Sequence, residues 1–390
     1  MSTPNDSVYF AQISDIHVGN NTLNGEAAKR HLRGALAEIA ALQPQPRCIL
    51  ATADLVCSGR RAELEEYRGL VAEAALPIHA LPANHDLWGE TGDAVWQELI
   101  GPLRQVIDVG DLRLILLQDI QRQAEGGWRA EVPPAEMAWL NAQLAAWPRG
   151  RCVVAIHAPI LRGAEGFHDV WRHGNAEAFL TLLREHQVLA LLTGHWHRVN
   201  EWRIEGVRVI NAGALVGWQW TGIPPYYSFP VRAGYMLHHY ADGGLRSFWR
   251  ELVSQENRPA VQANLVWIGP VHTGGPRPQV RPAEVFSRVR LRAQTCALGQ
   301  PVEAVEWSLV QGQWQAMTKG FSGLWEEWEA DLDPRAYRGG EMVLAIRAIR
   351  QGKPAAYDAV PVRLAEASSP PLTAAQAGRE TVFELYYLPE

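Results

Sequence analysis

The run VYFAQISDIH, residues 8–17, joins an almost unbroken apolar stretch to an acid and an imidazole two residues apart. A run that is apolar at both odd and even positions suits a strand covered on both faces, as in a sheet flanked by helices. The same pattern recurs downstream. Cys48 to Ala51, Ile78 to Leu81, Leu112 to Leu117, Cys152 to Ile156 and Val188 to Leu192 read as further buried strands. Between them, Glu26 to Leu42, Arg61 to Ala75, Pro134 to Trp147 and Asn175 to His186 carry helical spacing, with Pro134 near a start. Strand and helix alternating from residue 8 to about 215 predict an α/β layered sheet.

Beyond that region the character changes. Residues 217–230, GWQWTGIPPYYSFP, read as an aromatic loop, and Tyr235 to Tyr240 and Leu245 to Glu251 as strands. These close a first domain over 1–254. Residues 255–283, rich in Pro and Gly, read as a connector in which Leu265 to Ile268 are a candidate for strand pairing. From 284 to 366 polar and apolar residues alternate between turns, as in Val302 to Leu309 and Met342 to Ala348, which predicts a second, smaller all-β sandwich. Its Trp307, Trp314, Trp325 and Trp328 are expected in the core. A linker and last strand occupy 367–390.

Bulk properties narrow the function classes. The net charge is −6 and no Lys/Arg-rich run stands out, which argues against a nucleic-acid duplex as main ligand. The four cysteines, Cys48, Cys57, Cys152 and Cys296, lack CxxC spacing, so neither a disulfide framework nor a cysteine zinc site is expected. No apolar stretch reaches membrane-spanning length and MSTPNDSVYF does not read as a leader, so the expected compartment is the cytoplasm. Homo-oligomerisation is left open.

Five short blocks each follow an apolar strand: Asp15-Ile16-His17, Ala53-Asp54, Ala83-Asn84-His85-Asp86, His157-Ala158-Pro159 and Gly194-His195-Trp196-His197. Side chains at the carboxyl ends of strands in an open α/β sheet converge on one crevice. One D-x-H or H-x-H alone carries little weight; five blocks in order at strand ends carry much. Carboxylate, amide and imidazole without thiolate suit divalent ions of the Mn, Fe and Zn kind.

The order of these blocks resembles the calcineurin-like metallophosphoesterase family, whose pattern runs D-x-H, G-D, G-N-H-[D/E], H, G-H-x-H. The resemblance implies a layered β-sandwich flanked by helices and a dinuclear metal site. It places Asp15, His17 and His197 on one ion, Asn84, His157 and His195 on the other, and Asp54 between them. It further implies hydrolysis of a small-molecule phosphate ester by a metal-bridging hydroxide. In that scheme His85 is the general acid, oriented by Asp86. Small phosphodiesters of the cyclic nucleotide or glycerophosphodiester type, or monoesters, are the expected substrates. A nuclease and a non-catalytic scaffold of the same fold stay open as alternatives. Two positions depart from the pattern: Ala53 and Ala83 stand where the family has glycine. The C-terminal sandwich resembles the immunoglobulin-like or fibronectin-like modules that follow some such domains. Trp88 and the ring cluster Trp218, Trp220, Tyr226 and Tyr227 are candidates to wall a pocket, packing being the plainer role for the cluster; His168 and His173 are candidates to contact phosphate, a solvated surface position being the plainer expectation.

Overall fold

A computed structural model describes residues 7–19, 25–87, 92–123, 127–160, 173–220, 228–230, 232–252, 261–268, 271–272, 283–297, 301–310, 312–364 and 379–385. The chain divides into two compact units, one from residues 1–199, 205–255 and 387–390, the other from 200–204 and 256–386.

The strands of the N-terminal region are β1 (Val8–Ile13), β2 (Ile49–Ala51), β3 (Ile78–Ala80), β4 (Arg104–Val109), β5 (Leu112–Leu117), β6 (Ile120–Arg122), β7 (Trp128–Ala130), β8 (Cys152–Ala155), β9 (Ala190–Thr193), β10 (Val199–Ile204) and β11 (Val207–Asn211). They are followed by β12 (Trp218–Trp220), β13 (Ser228–Pro230), β14 (Gly234–Ala241) and β15 (Gly244–Glu251). The helices are α1 (Gly25–Ala40), α2 (Arg61–Val71), α3 (Asn84–Leu87), α4 (Asp93–Leu99), α5 (Pro134–Ala145) and α6 (Ala176–Glu185). One sheet runs β15-β14-β1-β2-β3, with β1, β2 and β3 parallel and β14 antiparallel to β1. In a second sheet β11, β9, β8 and β5 are successive parallel neighbours, and β4 pairs antiparallel with β5. This is the layered α/β arrangement.

All six residues of β1 are buried, which explains its unbroken apolar run. Its one polar side chain, Gln12, is paired across the layers. Gln12 Nε2 donates to Thr52 Oγ1 at 3.0 Å and to the Thr193 carbonyl at 3.1 Å, and Oε1 lies 3.2 Å from His238 Nε2. A buried amide stays only where its hydrogen bonds are met. Pro134 opens α5, where a missing N–H costs nothing.

The second unit is all β. Its four-stranded sheet has the order Val261–Ile268, Val289–Ala297, Glu326–Leu332, Thr318–Ser322. The longest strands of its other sheet, Gly340–Arg350 and Lys353–Leu364, pair antiparallel. One hydrophobic core takes Leu265, Leu291 and Trp328 from the first sheet and Trp307, Ile346 and Val362 from the second. Within the segment expected as a connector, Val261–Ile268 is therefore a strand, paired along its length with Val289–Ala297. Trp307, Trp325 and Trp328 are buried as expected, but Trp314 is only half-buried, with Arg347 stacked 4.3 Å over its ring. A guanidinium supplies that face with cation–π contact in place of core packing.

Candidate metal centre

Every block of interest stands immediately beyond the carboxyl end of a strand: after β1, β2 and β3 in one sheet, and after β8 and β9 in the other. The loops are tied to one another by backbone bonds. Ile16 and His17 N–H both donate to the Asp54 carbonyl, at 2.8 and 2.9 Å, and Gly194 N–H donates to the His157 carbonyl at 2.9 Å. Six non-glycine residues here adopt positive φ: Asp15, His17, Ala53, Asp54, His195 and His197, between 48° and 71°. Left-handed backbone costs an L-residue roughly 1–2 kcal/mol, so its concentration in these loops marks a place where side-chain aim outranks backbone ease.

The aimed side chains form two clusters. Asp15, His17 and His197 present ligand atoms within 4.8 Å of one another, and so do Asp54, His157 and His195. In the first, His17 Nε2 lies 3.1 Å from His197 Nε2, which is 3.3 Å from Asp15 Oδ1. In the second, His195 Nδ1 lies 3.1 Å from His157 Nε2. Asp54 Oδ2 lies 3.3 Å from His157 Nε2 in its own cluster and 3.8 Å from His17 Nε2 in the other. All six are buried. Carboxylate oxygens and imidazole nitrogens gathered this closely could hold a divalent ion in each cluster.

Outer contacts fix the aim. His157 Nδ1 donates to the Thr52 carbonyl at 2.8 Å, which turns Nε2 toward the cluster. Asp15 accepts from Ser14 Oγ at 2.6 Å and from the His195 backbone N–H at 3.0 Å. Asn84 is buried at the start of α3, and its Oδ1 has no hydrogen-bond partner among the described residues. A buried carbonyl oxygen left open costs about 1–3 kcal/mol unless something binds it. This donor set of oxygen and imidazole fits divalent ions.

Electrostatics in the ion-free protein follow from these contacts. Burial would raise the Asp54 carboxyl, but the imidazoles of His157, His85 and His17 outweigh it and hold it well below the usual range. Burial would lower His157, yet Asp54 lifts it to about 10. His17 and His195 fall to about 3 through burial, reinforced by the positive rings of His85 and His157 respectively.

His85 stands beside these clusters, its ring edge-to-face with His17 at 4.7 Å between centroids. Burial disfavours its charged form, but Asp54 and the contacts with Cys57 lift it to about 9. Its Nδ1 donates to the Cys57 carbonyl at 2.6 Å. Asp86, expected from the sequence to orient His85, accepts from the backbone N–H groups of Leu55, Val56 and Ala83, at 2.7, 3.1 and 3.0 Å. It staples the Asp54 loop to the Asn84 loop, while the Cys57 carbonyl holds the ring.

Other residues were not legible as site components. Asp119, beyond the end of β5, accepts from the backbone N–H groups of His157 and Ala158, both at 2.9 Å. An acid just beyond a parallel strand was the available signal. Trp128 on β7 sets its ring edge-to-face with His195 at 5.3 Å. His173, expected on the surface, is buried and stacked on Phe179 at 5.5 Å, because the ring's apolar faces fit the α6 side chain. Trp88, His168, Tyr226 and Tyr227 lie outside the described residues, as do the side chains of Trp218 and Trp220.

Residues 8–199 match the family of calcineurin-like phosphoesterases. The chain carries a calcineurin-like phosphoesterase domain. It is 28% identical over 213 residues to a probable glycerophosphodiester phosphodiesterase of Arcobacter nitrofigilis, covering 52% of this chain and 77% of that one. It is 24% identical to a probable cyclic nucleotide phosphodiesterase of Psychrobacter arcticus, over 64% of this chain and 96% of the relative. A cAMP/cGMP dual specificity phosphodiesterase of Mycobacterium tuberculosis is 26% identical, over 54% of this chain and 68% of its own length. The calcineurin-like phosphoesterase domain makes this chain a metal-dependent hydrolase of phosphate esters. Among its described residues, no helix is long and apolar enough to cross a membrane.

Proposed function

We propose that the chain hydrolyses small phosphodiesters, of the cyclic nucleotide or glycerophosphodiester type, at a dinuclear centre. Asp15, His17 and His197 would hold one ion and Asn84, His157 and His195 the other, with Asp54 shared. The observation that carries this reading is that Asp54 Oδ2, 3.3 Å from His157 Nε2 in its own cluster, also lies 3.8 Å from His17 Nε2 in the other. One carboxylate has two oxygens, enough to serve both ions. Bound divalent ions, Mn, Fe or Zn by donor type, supply Lewis acidity toward the phosphoryl oxygens and acidify water. The remaining work falls to the protein. Thr52 and Ser14 orient His157 and Asp15. His85, protonated in the free protein and held by the Cys57 carbonyl, delivers a proton to the departing alkoxide.

The test is metal analysis of purified protein together with turnover of a panel of cyclic nucleotides, open diesters and monoesters. Two ions per chain and a preference for diesters are expected. A single ion, or full activity in Asp54→Ala, would overturn the shared-ligand reading.

A further inference from the structure

A third ligand set lies against the centre, and it differs in kind. Ligand atoms of His17, Cys57 and His85 fall within 4.8 Å of one another. They arrive from three separate segments: the turn after β1, the turn after β2 and helix α3. Each of the other two clusters contains a carboxylate, whereas this one contains a thiol. Thiolate and imidazole favour Zn2+ and softer ions over Mn2+ or Mg2+. A tetrahedral ion, with bonds of ~2.3 Å to sulfur and ~2.1 Å to nitrogen, would draw these donors to roughly 3.4–3.6 Å from one another. Cys57 is also the accessible thiol of this chain. It is half-buried, whereas Cys48, Cys152 and Cys296 are buried. Burial pushes the Cys48 and Cys152 thiols up to about 12 and about 11, which removes them as competing thiolates.

We propose that Cys57, His85 and His17 form a third, inhibitory metal site selective for thiophilic divalent cations such as Zn2+ and Cd2+. Binding exchanges the Cys57 S–H proton, released to solvent, for a metal–sulfur bond. Occupation engages His85 and competes for His17, so it is incompatible with turnover. The inhibitory part rests on the reading of His85 as proton donor. The binding part does not.

The experiment uses the full-length, Mn2+-loaded protein titrated with cadmium chloride. Two signals are followed: the ultraviolet thiolate-to-cadmium charge-transfer absorption, and hydrolysis of a glycerophosphodiester. Wild type is expected to develop the band as activity falls. Cys57→Ser should lack the band and need at least about tenfold more Cd2+ for half-inhibition, a loss no smaller than that from removing an outer-sphere partner. Each protein is scored against its own uninhibited rate. If Cys57→Ser does not fold, wild-type protein gives the answer by peptide mapping: Cd2+ should slow maleimide labelling of Cys57. No band in wild type, an equal band in Cys57→Ser, or labelling unchanged by Cd2+ overturns the site. A Cys57-dependent band without inhibition keeps the site and removes His85 from the reaction.

Discussion

Ala53 and Ala83 both replace a family glycine, yet the backbone treats them differently. Ala53 sits at φ 71°, while Ala83 is not among the positive-φ residues. Both are fully buried, so glycine at either position loses the same methyl burial and gains the same unfolded-state entropy. Only at Ala53 is left-handed strain relieved. Ala53→Gly should therefore be better tolerated than Ala83→Gly by about 1–2 kcal/mol, read from denaturant midpoints. Equal effects would mean that the Ala53 turn is relaxed. His85 gives a second prediction at this scale. His85→Asn should retain both ions, because the residue belongs to neither ion's proposed ligand set. An alkoxide needs its proton, so alkyl esters should lose on the order of 10²–10⁴-fold, and nitrophenyl esters much less. Asp86→Asn should behave differently. Its carboxylate receives three backbone N–H groups, and an amide nitrogen cannot accept from them. It should lower stability and depress both ester types alike. A leaving-group bias in Asp86→Asn would return it to the role of charging His85.

Elements that bury both faces were legible, because an apolar run at β1, β5 or β8 has no other stable home. Strands with one wet face were not. β4, RQVIDV, is mostly half-exposed, and the β6–β7 hairpin has only three residues on each side. Helix α3 is a single turn, too short for periodicity, although it carries Asn84, His85 and Asp86. The candidate loops could be picked out because acid and imidazole sat beyond apolar runs. The partners that aim them, mainly the carbonyls of Thr52 and Cys57, carry no side-chain signal at all. Gly194 joins sequence to packing in one of these loops. A Cβ there would lie 1.9 Å from Ser14 Oγ and 2.8 Å from Asp15 Oδ2. Neither atom can retreat without breaking the bonds that aim Asp15. Gly194→Ala is thus expected to lose the ion on the Asp15 side and most activity, while far-ultraviolet circular dichroism stays near wild type. Normal metal content would show that the β9 turn yields instead.

At the scale of the whole molecule the net charge is −6, but the site's own balance decides how ions enter. In the ion-free protein His157 is lifted to about 10, so its ring is protonated at neutral pH. His17 and His195 lie near 3 and are already neutral. Only a neutral imidazole can ligate, so binding at His157 must expel its proton. The sign follows directly. Protons compete with the ion below about pH 10, and apparent affinity rises with pH by about tenfold per unit for each proton released. His17 and His195 titrate far below that range and add nothing between about pH 5 and about pH 9. His85, lifted to about 9, can release at most one further proton as the ions' charge lowers it. Calorimetric titration of Mn2+ at neutral pH, in buffers of different ionisation enthalpy, should therefore report at least one proton released per chain. His157→Ala should bind more weakly and release one fewer, which separates its share from that of His85. An observed enthalpy that does not change with buffer would remove His157 from the ligand set.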